Sequence, residues 1–286
     1  MKNNINCIFL FLCIIMSGNS YSFNDIKLSF VEGGDFYVGY VFGVEDYENH
    51  SNVKLDSFYI MKNEVTYSLY KEVYEWAILN GYEFDDGCNG ASYENCLPSE
   101  QDDGRHPVTN IEWLDTIVFS NALSEKLKLS PVYLQKGNEV IKKKNNKEDI
   151  FINTKANGYR LPTLNEWHVA ARGGKPALRL GRYGYYHSGS NDPKKVAWYP
   201  ELNINKFGTQ VVGSLSPNDL GLYDMSGNVS EWVYHISDFN GIKMYYFCGG
   251  SYLSHSKTLS GCDMHSSNYF LPDVGFRLVR NYFNEN

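Results

Sequence analysis

Apolar positions in this chain come in short stretches, and turn residues interrupt them often. Residues 30–40, Phe-Val-Glu-Gly-Gly-Asp-Phe-Tyr-Val-Gly-Tyr, alternate as an opening strand broken at Gly33-Gly34. A second strand is predicted over residues 53–61, with Val53, Leu55, Phe58 and Ile60 apolar. Thr66 then offers an N-cap, and Leu69, Tyr70, Val73, Tyr74, Trp76 and Ala77 recur at helical spacing through Leu79, where Gly81 ends the run. Ile117, Phe119, Ala122, Leu123 and Leu127 predict a second helix over residues 114–128. Residues 131–152 read as a peripheral hairpin with a polar tip. Thr163 and Glu166 have the spacing of a capping box, and Trp167, Val169 and Ala170 face inward until Gly173-Gly174 stops the helix. Residues 84–105 and 175–212, rich in Gly, Asn and Asp or Tyr, predict long irregular segments. Loops of that length are uncommon unless they carry function or are held by ions and aromatics.

The densest pattern lies in residues 218–232. Leu220, Leu222, Met225, Val229 and Trp232 are spaced to enter a core, while Asp224, the Gly227-Asn228 turn and Glu231 bring two carboxylates and tight backbone into one loop. A hard cation takes such oxygens, and a glycine lets the chain curl so that carbonyls converge. The other reading is a buried turn whose carboxylates cap backbone amides.

Gly221-Leu-Tyr-Asp-Met-Ser-Gly-Asn-Val-Ser-Glu-Trp232 resembles the signature of the formylglycine-generating enzyme, or sulfatase-modifying factor, family. The block at residues 157–174, Gly249-Gly-Ser-Tyr252 and Val274-Gly-Phe-Arg-Leu-Val279 are similar to three further blocks of that family, in the same order. The resemblance implies an α+β, C-type-lectin-like fold rich in irregular structure, as one domain over residues 23–286. It also implies a calcium ion held by the Asp224 side chain, the Gly227 and Val229 carbonyls and Glu231. A second calcium loop of the family would fall near residues 198–207, where only Asn203 and Asn205 could serve and the pattern is not met.

Charge and cysteine usage narrow the class. A net charge of -7 argues against nucleic acid, which needs a basic face. The run Lys142-Lys143-Lys144 reads as a solvated tip. Lys2, the apolar run over residues 8–16 and the small residues Ser20 and Ser22 predict a signal peptide over residues 1–22. The apolar run is too short for a permanent span. Cys13 lacks the small residue that precedes a lipidated cysteine. The expected location is therefore exported: periplasmic, cell-surface or secreted. The remaining cysteines allow three connectivities. A local bridge between Cys88 and Cys96 is expected, and Cys248 and Cys262 could pair or stay reduced.

Catalysis is where the resemblance weakens. The family holds copper with two cysteines just after its Gly-Gly-Ser-aromatic block, since soft thiolates select Cu(I). Those positions here are Ser254 and Leu259, so copper-dependent formylglycine synthesis is not expected. His255 and His265, near Asp263, are weak candidates for a metal or acid-base site, and no phosphate loop opens a helix. Two readings remain. One is a non-catalytic binding module for an extracytoplasmic protein, peptide, glycan or small molecule. It would use Tyr252, Ser254, His255, Asp263, His265 and Tyr269 of the terminal loop, whose residue types resemble those of retroelement-diversified proteins of this fold. The alternative is an extracytoplasmic oxidoreductase maturing a peptide or siderophore-like metabolite, with a deep pocket at that loop. The reading favours binding over catalysis.

Overall fold

The computed structural model of the protein describes residues 26–39, 51–92, 95–96, 104–144, 150–202, 207–254, 259, 261–266 and 270–283. The expected signal peptide, Cys13, His255, Tyr269, Asn203 and Asn205 lie outside the described residues. Among the described residues no helix is long and apolar enough to cross a membrane.

Helix α1, Tyr67–Leu79, begins where the Thr66 hydroxyl accepts the Leu69 amide at 3.3 Å, and it buries Tyr70, Val73 and Ala77. It ends at Asn80, followed by Gly81 at a positive φ of 81°. Helix α2, Trp113–Lys126, starts one residue earlier than expected. Glu112 and Asp115 cap each other's amides there, and the Asp115 carboxylate accepts from Glu112 N at 2.7 Å. The sequence predicted one apolar side for α2. In the structure its polar residues are buried too, because Thr116, Ser120 and Ser124 return their hydroxyl protons to carbonyls of the preceding turn. Tyr70 of α1 stacks on Phe119 of α2 at 4.8 Å between centroids, which fixes the two helices face to face.

Helix α3, Leu164–Ala171, carries the expected Thr163/Glu166 box, and Arg160 holds the same Glu166 with two hydrogen bonds of 2.7 Å. The segment expected to be mostly irregular opens with a short helix. Gly173, at φ 83°, turns directly into a further helix, α4, Gly174–Leu180. Ala177 would meet a side chain at Gly173, so the turn stays tight.

Two four-stranded sheets organise the rest. The first runs in the order Leu28–Val31, Phe58–Met61, Val279–Asn281, Tyr159–Arg160, all antiparallel, so the closing strand lies beside the opening ones. The second runs Cys262–Ser266, Ile242–Cys248, Ser230–Phe239, Val274–Gly275, with the last pair parallel. The predicted strand at residues 53–61 divides in two. Ser51–Leu55 pairs with Gly34–Val38, and Phe58–Met61 enters the first sheet.

The predicted peripheral hairpin has three short strands, Glu139–Val140, Tyr133–Gln135 and Phe151–Ile152. Its lysine run is not a solvated tip. Lys142 pairs with Glu125 at 2.8 Å, Lys143 with Glu83 at 3.1 Å, and Lys144 with Asp115 at 3.1 Å and also with Asp85. Asp115 is fully buried, and burial pushes its carboxyl up to about 6 against the pull of Lys144. The insertion is thus fastened to α2 by charge.

Two apolar clusters form the core. One surrounds Trp113, Phe119, Trp232 and Phe276, and the other surrounds Phe58, Trp167, Leu222 and Met225. Residues 218–232 contribute to both, which is why that stretch is so dense in apolar residues.

Candidate functional site

The signature loop folds around a buried ion pair. Arg277, with 0% exposure, donates Nε to both Glu231 oxygens at 2.9 and 2.7 Å and Nη2 to Oε1 at 2.6 Å. Its other protons go to the carbonyls of Met61, Lys62 and Tyr223. Trp167 Nε1 donates to Glu231 Oε2 at 2.8 Å. Glu64, which the sequence analysis did not single out, is also buried. It accepts from Asn228 Nδ2 at 2.8 Å and Val229 N at 3.3 Å. Burial, then the charges of Asp224 and Glu231, raise its carboxyl well above the usual range.

Asp224 sits in the left-handed region at φ 56° and accepts from Gly213 N at 2.6 Å through Oδ2. Its Oδ1 is buried without a hydrogen-bond partner. Burial pushes this carboxyl up to about 6. The adjacent turn is anchored from behind: Asn228 N donates to the Trp198 carbonyl at 3.0 Å, and a Cβ on Gly227 would stand 2.5 Å from that oxygen.

The expected calcium ligands fit in part. Asp224 presents an orphaned acceptor beside Glu64 and Glu231, and Arg277 is the cation acting on this group of carboxylates. A buried excess of negative charge is what a dication relieves. Glu231 fits less well, because Arg277 and Trp167 already engage both of its oxygens. A positively charged partner for Glu231 was legible in principle, since a core-forming stretch that buries a carboxylate needs one and Arg277 stands in the closing block.

At the terminal loop the positions expected for copper thiolates are closed. Ser254 Oγ accepts from Ser251 N at 2.6 Å, while Ser251 Oγ donates to Asp273 Oδ2 at 2.6 Å. Leu259 is buried in the second apolar cluster. Tyr252, expected to contribute to a binding surface on the terminal loop, is instead mostly covered. It is only 7% exposed, its amide donates to the Asn228 carbonyl, and its hydroxyl lies 3.4 Å from the Pro272 carbonyl. Asp263 and His265 lie two residues apart on the strand Cys262–Ser266, hence on one face, and His265 Nδ1 donates to the Ser266 carbonyl at 3.1 Å. A cleft of about 370 Å³ does exist, lined by Met61, Asn63, Glu64, Thr66 and Arg105 among others, away from the terminal loop.

Both cysteine pairs are joined, Cys88 to Cys96 as expected and Cys248 to Cys262. His168 lies against the second pair, its Nε2 at 3.7 Å from Cys262 Sγ.

This combination of two small sheets, a closing strand paired to Phe58–Met61 and a signature loop locked by Glu231 and Arg277 defines a sulfatase-modifying-factor domain. The chain belongs to that family: the sulfatase-modifying factor enzyme 1-like domain matches residues 21–282. It is 33% identical over 289 residues to the chaperone protein LppX of Paenibacillus barcinonensis, with 92% of each chain covered. Among solved structures it resembles CarF, at 48% identity and a TM-score of 0.84 over 90% of this chain and 99% of the other. It also resembles variable protein 1 of Treponema denticola, at 26% identity and a TM-score of 0.70 over 89% and 95% of the two chains. The fold is thus the mixed, C-type-lectin-like one that the signature implied.

Proposed function

We propose that the protein is an exported, non-catalytic module that binds protein surfaces or peptides and carries a structural calcium ion. The observation that carries the reading is an apolar face on the second sheet. Phe239 and Ile242 stand directly opposite each other across the long hairpin, 64% and 55% exposed. Met244 and Tyr246 follow Ile242 on the same face, and exposed Met264 is the cross-strand partner of Tyr246. Met244 and Tyr246 are partly exposed, and Tyr246 also packs on the second apolar cluster, so Phe239, Ile242 and Met264 carry the exposed part of the face. Exposed apolar side chains grouped on one face mark interaction sites, and methionines adapt to varied partners.

The closed terminal loop supports the same reading. Ser254 and Leu259 supply hydrogen bonding and packing where the family's chemistry needs two thiolates. A relative named as a chaperone, matched along nearly its whole length, is consistent with a surface that holds other proteins. Calcium would rest on Asp224 and the Gly227 and Val229 carbonyls. Glu231 joins only by giving up one of its present hydrogen bonds.

The test is suppression of aggregation of a chemically unfolded secreted protein by the purified chain. Wild type is expected to hold the client, and Phe239→Asp with Ile242→Asp to lose most of that effect at an unchanged melting temperature. Oxygen consumption with product formation on peptides or siderophore-like metabolites, together with no effect on aggregation, would overturn the reading in favour of an oxidoreductase.

A further inference from the structure

Among the described residues, one group of three ligand atoms from His, Cys, Asp or Glu lies within 4.8 Å of one another: those of His168, Cys248 and Cys262. Cys248 ends the strand Ile242–Cys248 and Cys262 begins the strand Cys262–Ser266. The two are direct partners in the antiparallel ladder, with Cα atoms 4.1 Å apart. Four further residue pairs continue that ladder from Phe247↔Asp263 to Met244↔Ser266, so the strands stay aligned whether or not the sulfurs are bonded. Cys248 is fully buried and Cys262 is partly exposed, so of the two Cys262 lies nearer to solvent and to an incoming thiol.

His168 completes the group in a way that packing alone does not require. Its Nδ1 faces the Leu259 carbonyl at 3.0 Å, and a carbonyl only accepts, so Nδ1 carries the proton. The lone pair is therefore on Nε2, the atom 3.7 Å from Cys262 Sγ. Burial holds the ring neutral by lowering its pKa to about 4. A metal-binding histidine is typically oriented in this way, by giving its other N–H to a carbonyl. Leu259 thereby supplies the orienting carbonyl. Arg172, buried against the same helix end, has Nε and Nη2 without hydrogen-bond partners, and its charge acts on His168.

We propose that Cys248, Cys262 and His168 form a redox-gated site for a thiophilic metal ion, Zn(II) or Cu(I), closed when the cysteines are bonded and open when they are reduced. Opening follows thiol–disulfide exchange. Two equivalents of an external thiol reduce the Cys248–Cys262 bond to two thiols and leave as their own disulfide. Metal binding then releases both thiol protons to solvent. With metal–sulfur bonds of about 2.3 Å and metal–nitrogen bonds of about 2.0 Å, two ligands of one tetrahedral ion sit roughly 3.5 Å apart, close to the sulfur–nitrogen separation already present. Two thiolates and one imidazole, with no carboxylate, select soft ions over calcium or magnesium. Three protein ligands leave a coordination position free. Its ligands are not the Ser254 and Leu259 positions, although the Leu259 carbonyl orients His168, and the site does not rest on the binding function proposed above.

The full chain, reduced with dithiothreitol and desalted without oxygen, should be titrated with Co(II) as a spectroscopic probe, then with Zn(II) and Cu(I) against chromophoric competitors. About one equivalent should bind, with a thiolate-to-cobalt charge-transfer band, and the oxidised chain should show none. Cys248→Ser and Cys262→Ser should abolish the band. His168→Ala should weaken binding at least tenfold and change the ligand-field spectrum. The double variant Cys88→Ser, Cys96→Ser should bind as wild type does. Free thiols in a folded chain that takes up no metal would overturn the proposal, as would unchanged binding by His168→Ala. Loss of the fold on reduction, seen by circular dichroism, would also overturn it, because the bond would then be purely structural. The Zn(II) and Cu(I) arms decide which ion the site prefers.

Discussion

Glu231 and Arg277 form a buried pair, 2.6 Å from Oε1 to Nη2 and at most 1% exposed, across 46 residues of sequence. The pair ties the signature loop to the segment between the strands Val274–Gly275 and Val279–Asn281. Because Arg277 also binds the carbonyls of Met61 and Lys62, the opening strands are held by the same side chain.

Breaking that pair should be costly. Glu231→Gln leaves a buried guanidinium short of its counter-charge, and removing one partner of a buried pair costs about 3–5 kcal/mol. Urea denaturation of Glu231→Gln and Arg277→Met should each show a loss of that order. The double variant Glu231→Leu, Arg277→Met should recover part of it, since two apolar residues leave no uncompensated charge.

Calcium should stabilise the chain through Asp224. A ligand that binds only the folded state at 100 times its Kd adds about 2.7 kcal/mol. Chelator should therefore lower the melting temperature, calcium should restore it, and Asp224→Asn should lose the response. An identical melting temperature in chelator and calcium would remove the ion from the reading.

Gly227→Ala should be destabilising by about 1–3 kcal/mol, since the backbone is left-handed and the structure around it is packed. The added Cβ would meet Trp198 backbone atoms at 2.5 to 2.8 Å, and backbone cannot rotate away as a side chain can. Thermal denaturation of Gly227→Ala against Gly241→Ala, which meets nothing within 4 Å, separates the clash from the cost of the positive φ.

Acid should weaken the fold through His106. Burial lowers its pKa from 6.5 to about 4, and its Nδ1 lies 2.8 Å from Thr209 Oγ1. The unfolded chain therefore takes up a proton below pH 6.5 that the folded chain refuses until about pH 4. Stability from this group is present above pH 6.5 and is lost as pH falls through that window. His106→Gln should show a shallower fall in stability over the same range, measured by urea denaturation at each pH.

The sequence by itself determined the local elements whose causes are local. Thr66 and the Tyr70, Val73, Ala77 spacing specified α1, and Thr163 with Glu166 specified α3, because a cap and a helical period act within a few residues. The bridge between Cys88 and Cys96 was legible for the same reason, as its ends lie 8 residues apart. The family signature was legible too, and the fold with it. Only the tertiary structure decided what depends on distant partners. It turned the lysine run from a solvated tip into an ionic fastening, because Asp85, Glu112, Asp115 and Glu125 lie on other segments. It buried Tyr252, whose surroundings include Asn228 and Pro272, and it revealed Glu64 in the ionic centre. It also brought His168 to Cys262 across 94 residues, a contact set by the packing of α3 against the second sheet and by no pattern in either segment.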